Sequence, residues 1–332
     1  MSAGLSKGWG AFVDWRRLCV VSAIVAVPLL IPPLIVGEFV LHVLTISAYY
    51  VILAASWNLL AGFTGQFSLA QHAFAGVGAY VSGLLIYHLH TPLWISVPAG
   101  ILAAGLSGYI LGRLVLHMRA IYLAIATWAF AETYRIMLAA AYDFTRGDLG
   151  LSVPALYGSL RTSAYYYTFV GAAAACLLLM HVVLKSPVGF FMRAVKDDQL
   201  RAASLGVDTT KVKLFAFVVS STMAGLAGVL YAHYVLTLTP ALVDFSEMAK
   251  IIVMVAIGGL GSFVGPILAA PPINFLSTYL QAYGEWSMVI FAAIVIAVMR
   301  SYPGGLSALI ESATQRLRAR PASGTGKPAA PQ

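Results

Sequence analysis

Charge is the scarcest feature of this sequence. Only 10% of its 332 residues are Asp, Glu, Lys or Arg, none of them falls between Phe39 and Gly112, and 60% of the chain is hydrophobic. So little charge cannot coat a soluble globule, which leaves a polytopic membrane protein as the class. Cysteine is almost missing as well. Cys19 and Cys176 stand far apart in apolar segments and outside any CxxC, so neither a disulfide scaffold nor a cysteine metal site is encoded. A phosphate-binding loop is incomplete: "GTGKP" at 324–328 has no hydroxyl residue after Lys327 and no glycine at the required upstream position. The chain therefore carries no ATPase motif of its own, and no cofactor or metal is expected in it. No His-x-x-x-His pair or serine–histidine motif is legible, which leaves a membrane-embedded enzyme without support.

What is present is long apolar sequence, cut at intervals. A crossing helix needs ~20 apolar residues, and the charged positions divide the chain into 18–37, 39–112, 162–184, 214–243 and 251–284, with a helix near 120–141 and a short span at 286–299. The long uncharged stretch divides at Gly62–Gln66 and again near His88–Pro92, and 251–284 divides at "GGLGSFVGP", Gly258 to Pro266. The expectation is an all-α protein of about ten transmembrane helices with two glycine-broken segments. The eighth and the last spans are short, and the eighth crosses only by borrowing residues 244–250. Residues 18–37 are too long for the core of a secretory signal and lack an A-x-A site, so they read as the first span.

Basic residues test that count. With the N-terminus cytoplasmic, sixteen of the twenty Lys and Arg fall on the inside, and only Arg135, Arg146, Arg161 and Lys250 do not. That asymmetry supports the orientation and gives the net charge of +8 a topological meaning, with no nucleic-acid partner implied. The domain reading is a cytoplasmic segment 1–17, a transmembrane domain 18–300 containing a cytoplasmic segment 186–213, and a largely disordered Pro/Ala/Gly-rich tail 301–332, also cytoplasmic.

Small residues recur every four positions at Gly100, Ala104, Gly108 and Gly112, and again at Ser220, Ala224, Gly228 and Ala232. Such stripes let helix backbones approach closely in lipid. The breaks carry a different signal. Gly62 and Gly65 permit irregular backbone, and Thr64, Gln66, Ser68, Gln71 and His72 can satisfy released backbone groups or a ligand; Gly258, Gly259 and Gly261 repeat the arrangement. Irregular backbone at membrane depth survives only where protein or a wet cavity surrounds it, and paired broken helices point to a transport pathway, here with Phe63, Phe67, Leu69 and Phe74 as aliphatic-compatible lining. Tight glycine turns joining helices at the cytoplasmic surface are the alternative. Glu132 lies three residues before Arg135 and can pair with it on one helical face, either structurally or as a gate. An ion-coupled secondary transporter would need titratable groups in the membrane, and Glu132 and His72 are its few candidates. On the outside, Asp143, Arg146, Asp148, Asp244 and Glu247 are suited to steering a partner protein, as solvated loop residues also would be.

The cytoplasmic segment mixes apolar Ala194, Val195, Leu200, Ala203 and Leu205 with Arg193, Lys196, Asp197, Asp198 and Arg201, the pattern of one short amphipathic helix stopped at Gly206. It could lie on lipid or fill a groove on a partner. Four blocks, "WNLLAGFTGQFSLAQHAFAGVGAY" (57–80), "IYLAIATWAFAETYRIM" (121–137), "RAVKDDQLRAASLGVDTTKVKLFAFVVSSTMAGLAG" (193–228) and "IGGLGSFVGPILAA" (257–270), resemble the LivM-type permease subunits of bacterial branched-chain amino acid ABC importers, from about Leu41 to Gly305. The resemblance implies a LivH-like second permease subunit, two cytoplasmic ABC ATPase subunits that bind ATP and Mg, and a periplasmic substrate-binding protein, all at the bacterial inner membrane. It also implies that the cytoplasmic segment is a coupling helix, with Ala202, Ala203 and Gly206 matching the family's motif. Members often carry glutamates where this chain has Gln199 and Ala203. Importers of urea and short amides have closely similar permeases, so the substrate stays open between these and branched-chain amino acids.

Overall fold

The computed structural model describes residues 37–118, 120–157, 162–281, 284 and 286–301. The first expected span, the N-terminal segment, Cys19 and the tail with its glycine–lysine sequence lie outside the described residues. Within them the chain is almost entirely helical. The elements in order are α1 (Glu38–Ala61), α2 (Gln71–Leu89), α3 (Leu93–Val115), α4 (Ala120–Ala140), a single turn α5 (Tyr142–Thr145), β1 (Leu151–Ser152), α6 (Thr162–Lys185), α7 (Pro187–Asp197), α8 (Gln199–Ser204), α9 (Thr209–Val235), β2 (Thr237–Leu238), α10 (Phe245–Gly258), α11 (Gly265–Leu280) and α12 (Trp286–Ser301). Short 3-10 turns occupy Gly147–Leu149 and Pro240–Val243. Among the described residues, α1, α3, α6 and α9 are long and apolar enough to cross a membrane by themselves.

Helix α1 is the buried axis, packed against α6, α9 and α11. Its few polar groups are satisfied locally: Thr45 and Ser47 hydroxyls donate to carbonyls one turn back, and the Asn274 amide of α11 donates to the Val43 carbonyl and to Ser47 Oγ. A second group, α2, α3 and α9, packs through the small-residue stripes. A Cβ on Gly78 would stand 2.5 Å from the Gly225 carbonyl oxygen, one on Gly100 would stand 2.5 Å from the Gly78 carbonyl oxygen, and one on Gly228 would fall on the Ala75 carbonyl. These backbones are therefore in direct contact. In lipid, where no hydrophobic effect draws helices together, such contact supplies the attraction. Cys176 is a free thiol buried on α6.

The connection after α9 leads to the short helix α10, at the place of the expected eighth span. Leu236 takes the left-handed conformation, φ +67°, and β2 pairs with β1 antiparallel, Leu151 opposite Leu238 and Ser152 opposite Thr237. The chain then runs inward, and buried Val243 packs against Gly76, the sixth residue of α2, and beside His72. Helix α10 begins at the exposed Phe245, two residues beyond buried Val243, and its 14 residues cover only ~21 Å at 1.5 Å per residue. Its two charges are paired: Lys250 Nζ lies 2.7 Å from Glu247 Oε1, and the Tyr50 hydroxyl donates to Glu247 Oε2 at 2.6 Å.

Candidate functional site

Both interruptions of the apolar runs meet at one place. Helix α1 ends at Ala61 and α2 starts only at Gln71, while α10 ends at Gly258 and α11 starts at Gly265. The two irregular stretches are joined by one side chain. Asn58, in the last turn of α1, donates from Nδ2 to the Ser262 carbonyl at 2.7 Å and accepts on Oδ1 from the Gly261 amide at 2.8 Å. Asn58 spends both ends of its amide on the second break. Close approach is what makes this possible: a Cβ on Gly62 would meet the Gly261 nitrogen at 2.6 Å and collide with Asn58 Oδ1. Gly65 (φ +70°), Gly259 (φ +107°) and Gly261 (φ +81°) hold backbone conformations that side chains disfavour.

The rest of the first break is organised by its own polar groups. Thr64 donates to the Leu60 carbonyl at 2.7 Å, Gln66 Nε2 donates to Thr64 Oγ1 at 3.1 Å, and Trp57 Nε1 donates to the Ser68 carbonyl at 2.7 Å. Gln66 Oε1 is buried without a protein partner. Gly65 and Phe67 are the exposed members of the stretch. Gln71 belongs elsewhere: it is fully buried, with Nε2 donating to Ser56 Oγ at 2.6 Å and to Ser220 Oγ at 3.0 Å, so it fastens α1, α2 and α9 together. Phe74, expected as lining, is also fully buried, between Phe130 and Phe217. His72 faces away from the breaks, towards Val243, and its Nδ1 is buried without a protein partner. One and two turns further on the same face come Gly76 and Tyr80, the latter with an unpartnered buried hydroxyl.

Segment 186–213, expected on the cytoplasmic side, differs from the single amphipathic helix expected. It is two short helices, α7 and α8, joined at Asp198 and called the hairpin below. Asp198 leaves the helical region (φ −157°) and caps α8, its Oδ1 accepting from the Leu200 and Arg201 amides at 2.9 and 3.0 Å. A carboxylate that satisfies free N–H groups starts a new helix better than it continues an old one. The apolar face is also different: Met192, Val195 and Ala202 are buried, whereas Leu200 and Leu205 are 81% and 85% exposed and Ala203 is exposed. Arg193 turns back, with Nη2 donating to the Leu184 carbonyl at 3.0 Å and Nε to Gly189 at 3.2 Å, which seats α7 on the end of α6. Asp197 is exposed. Gly206 ends the hairpin at φ +84° with open space around it. Asp208 then caps α9, and its hydrogen bonds from the Lys211 amide and ammonium hold its carboxyl below the usual aspartate range. Gln199, at one of the departures from the family pattern, accepts from Lys213 Nζ at 2.6 Å.

One residue of α7 reaches both breaks, and one residue of α1 joins the breaks to each other. Lys196 packs its stem against Gly65, 3.5 Å from the glycine's Cβ position, and brings Nζ to 3.3 Å from the Cβ position of Gly261. Asn58 is the other. A lone carboxamide one turn before a glycine break in an otherwise apolar helix was the available signal. On α4, Glu132 and Arg135 form the ion pair their spacing allows, with Nε to Oε2 at 3.0 Å, and each side chain is about a third exposed. Among the described residues no group of three His, Cys, Asp or Glu is placed to hold a metal ion.

Of the charges expected on the outside, Arg146, Asp244 and Glu247 have structural partners. Arg146 lies over the Tyr87 ring, Asp244 caps α10, and Glu247 is held by Tyr50 and Lys250; Asp143 and Asp148 are exposed.

The chain is 28% identical over 302 residues to the high-affinity branched-chain amino acid transport system permease protein LivM of Salmonella typhimurium, covering 82% of this chain and 71% of that protein. The LivM protein of Escherichia coli (strain K12) matches to the same extent. The LivH permease protein of Salmonella typhimurium is 24% identical over 291 residues, 79% of this chain and 92% of LivH. No solved structure matches the chain. Residues 39–299 match the family described as branched-chain amino acid transport system / permease component, and the chain belongs to that family of multi-pass membrane permeases.

Proposed function

We propose that this chain is one permease subunit of a branched-chain amino acid ABC importer in the bacterial inner membrane, with both termini cytoplasmic and about ten crossings. It encloses the pathway with a LivH-like homologous subunit, is driven by two separate ATPase subunits that carry ATP and Mg, and receives its substrate from a periplasmic binding protein. The transmembrane domain is 18–300. Within it Gly62, Thr64, Gly65, Gln66, Ser68, Gly258, Gly259 and Gly261 form the cytoplasmic end of the pathway, Gln71 holds the helices around it, and His72 lines it further out. Glu132 and Arg135 face the second subunit, because an ion pair a third exposed on a crossing helix costs far less against protein than against lipid.

The observation that carries this reading is the hairpin 186–213. It presents Leu200 and Leu205 to solvent on a polar segment that elsewhere packs directly on the breaks. Two exposed leucines beside Arg193, Asp197 and Asp198 suit insertion into a groove on a partner. Ala202, Ala203 and Gly206 give that insertion its close fit.

The test is to purify the tagged chain from its host's membranes in mild detergent. Recovery of a homologous permease and P-loop ATPases, with the ATPases lost in a Leu200→Asp/Leu205→Asp variant that still inserts, supports the assignment. A chain that purifies alone and transports on an ion gradient rejects it.

A further inference from the structure

We propose that Asn58 and Lys196 are positioning residues that make the two breaks move as one body with the cytoplasmic hairpin, so that displacement of the hairpin opens the cytoplasmic end of the pathway. The inference rests on the transport reading above and adds to it the residues through which motion is passed. Three observations meet at this point.

First, the breaks share a single connector. Gly62 and Gly261 approach so closely that no side chain fits between them, and the Asn58 carboxamide bridges them with one bond given and one received. An amide that donates and accepts at opposite ends fixes both distance and register, and separation of the breaks must sever both bonds together.

Second, α1 and α10 both terminate here, at Ala61 and Gly258. The last carbonyls of a helix lack intrahelical donors and form the negative end of its dipole. The Lys196 ammonium lies close to where the breaks meet: the Cβ position of Gly261 is 3.3 Å from Lys196 Nζ and 3.0 Å from the Gly62 carbonyl oxygen. A cation here favours the arrangement in which both helix ends stay together.

Third, Lys196 belongs to a rigid element. Arg193, one turn earlier on α7, is bonded to the Leu184 carbonyl, and Met192 and Val195 are buried beneath the same helix. Lys196 is held from below, and its stem rests on Gly65. A tilt of α7 moves the ammonium relative to both breaks at once.

The test uses the whole importer, with its partner permease, ATPases and loaded binding protein, in liposomes, reading ATP hydrolysis and leucine uptake in the same vesicles. Lys196 is exposed, so Lys196→Met leaves the fold intact. It should leave hydrolysis close to wild type and lower uptake per ATP by about tenfold, within the range of typical coupling energies. Lys196→Arg, which keeps the cation, should restore the ratio. Asn58→Asp is isosteric, keeps the acceptor for Gly261 and loses the donor to Ser262; it should uncouple in the same way. Wild-type uptake per ATP in both Lys196→Met and Asn58→Asp would overturn the proposal, as would a proportional loss of hydrolysis and uptake that Lys196→Arg does not rescue. A wild-type chain that recruits no ATPase overturns the transport reading itself, which is a different result from coupled transport indifferent to these variants.

Discussion

The end of the bundle that carries β1 and β2 and the end where the two breaks meet are fastened in opposite ways. At the β1–β2 end, the one expected outside, the ties are redundant. β1 pairs with β2, His233 receives the Ser82 hydroxyl on Nε2 at 2.9 Å and donates from Nδ1 to the Pro154 carbonyl at 2.9 Å, and the Tyr165 hydroxyl donates to the His233 carbonyl while accepting from the Leu156 amide. His88 adds a bond to the Phe144 carbonyl. Where the breaks meet, two irregular stretches are joined by the amide of Asn58 and approached by the ammonium of Lys196, with glycines where other residues would pack. Redundant bonds keep one arrangement when any single bond fails. A junction of two side chains parts with the loss of few bonds.

That contrast can be broken or sharpened by substitution. The largest effect is expected from Gly228→Leu, because its side chain would be driven into the Ala75 carbonyl and pry α9 from α2. The cost should lie at or above the upper end of the ~1–3 kcal/mol typical of overpacking, read as loss of monodisperse protein and of the thermal transition. His233→Leu strands the Ser82 hydroxyl and the Pro154 carbonyl, and should cost about 1–3 kcal/mol in thermal unfolding. Uptake per folded molecule should stay unchanged, since the other outer ties persist; a fall in uptake would mean that the outer end also moves. Gly65→Ala forces a side chain to φ +70° at about 1–2 kcal/mol. Here the loss of uptake should exceed the loss of stability, the reverse of His233→Leu. The smallest effect belongs to the start of α9. Asp208 has its carboxyl held low in the folded state, so its cap is fully present above the ordinary aspartate range and is lost as pH falls through the lowered folded value. Amide exchange at Lys211 should quicken in that acid window, and Asp208→Asn should remove most of the pH dependence.

Much of this could be read before any coordinates. The boundaries of α1, α2, α3, α4 and α6 fall within a few residues of the divisions set by charge, glycine and proline, because lipid tolerates neither an unpaired charge nor an unpaired backbone group. Of the small-residue stripes, Gly100 and Gly228 meet neighbouring backbones, whereas Gly108 and Gly112 meet the side chains of Ser221 and Leu214. Other features were hidden. Asp197 and Asp198 look alike in the sequence, yet Asp198 alone ends α7 and caps α8, and that choice turned one expected helix into a hairpin and exposed Leu200 and Leu205. The Asn274 bond to α1, the β1–β2 pairing and the descent of Pro240–Val243 join residues far apart in the chain, and no local pattern records them.

The sequence alone determined that the chain crosses a membrane, where its helices break, which helix faces can touch, and the permease family to which it belongs. Each of these follows from side-chain transfer energy, from backbone hydrogen bonding or from a pattern carried along consecutive residues. Only the tertiary structure decided that the two breaks coincide, that Gln71 and Phe74 are buried, and that Lys196 of α7 reaches both breaks. Those outcomes depend on how helices distant in sequence are arranged in space, which no pattern along consecutive residues records.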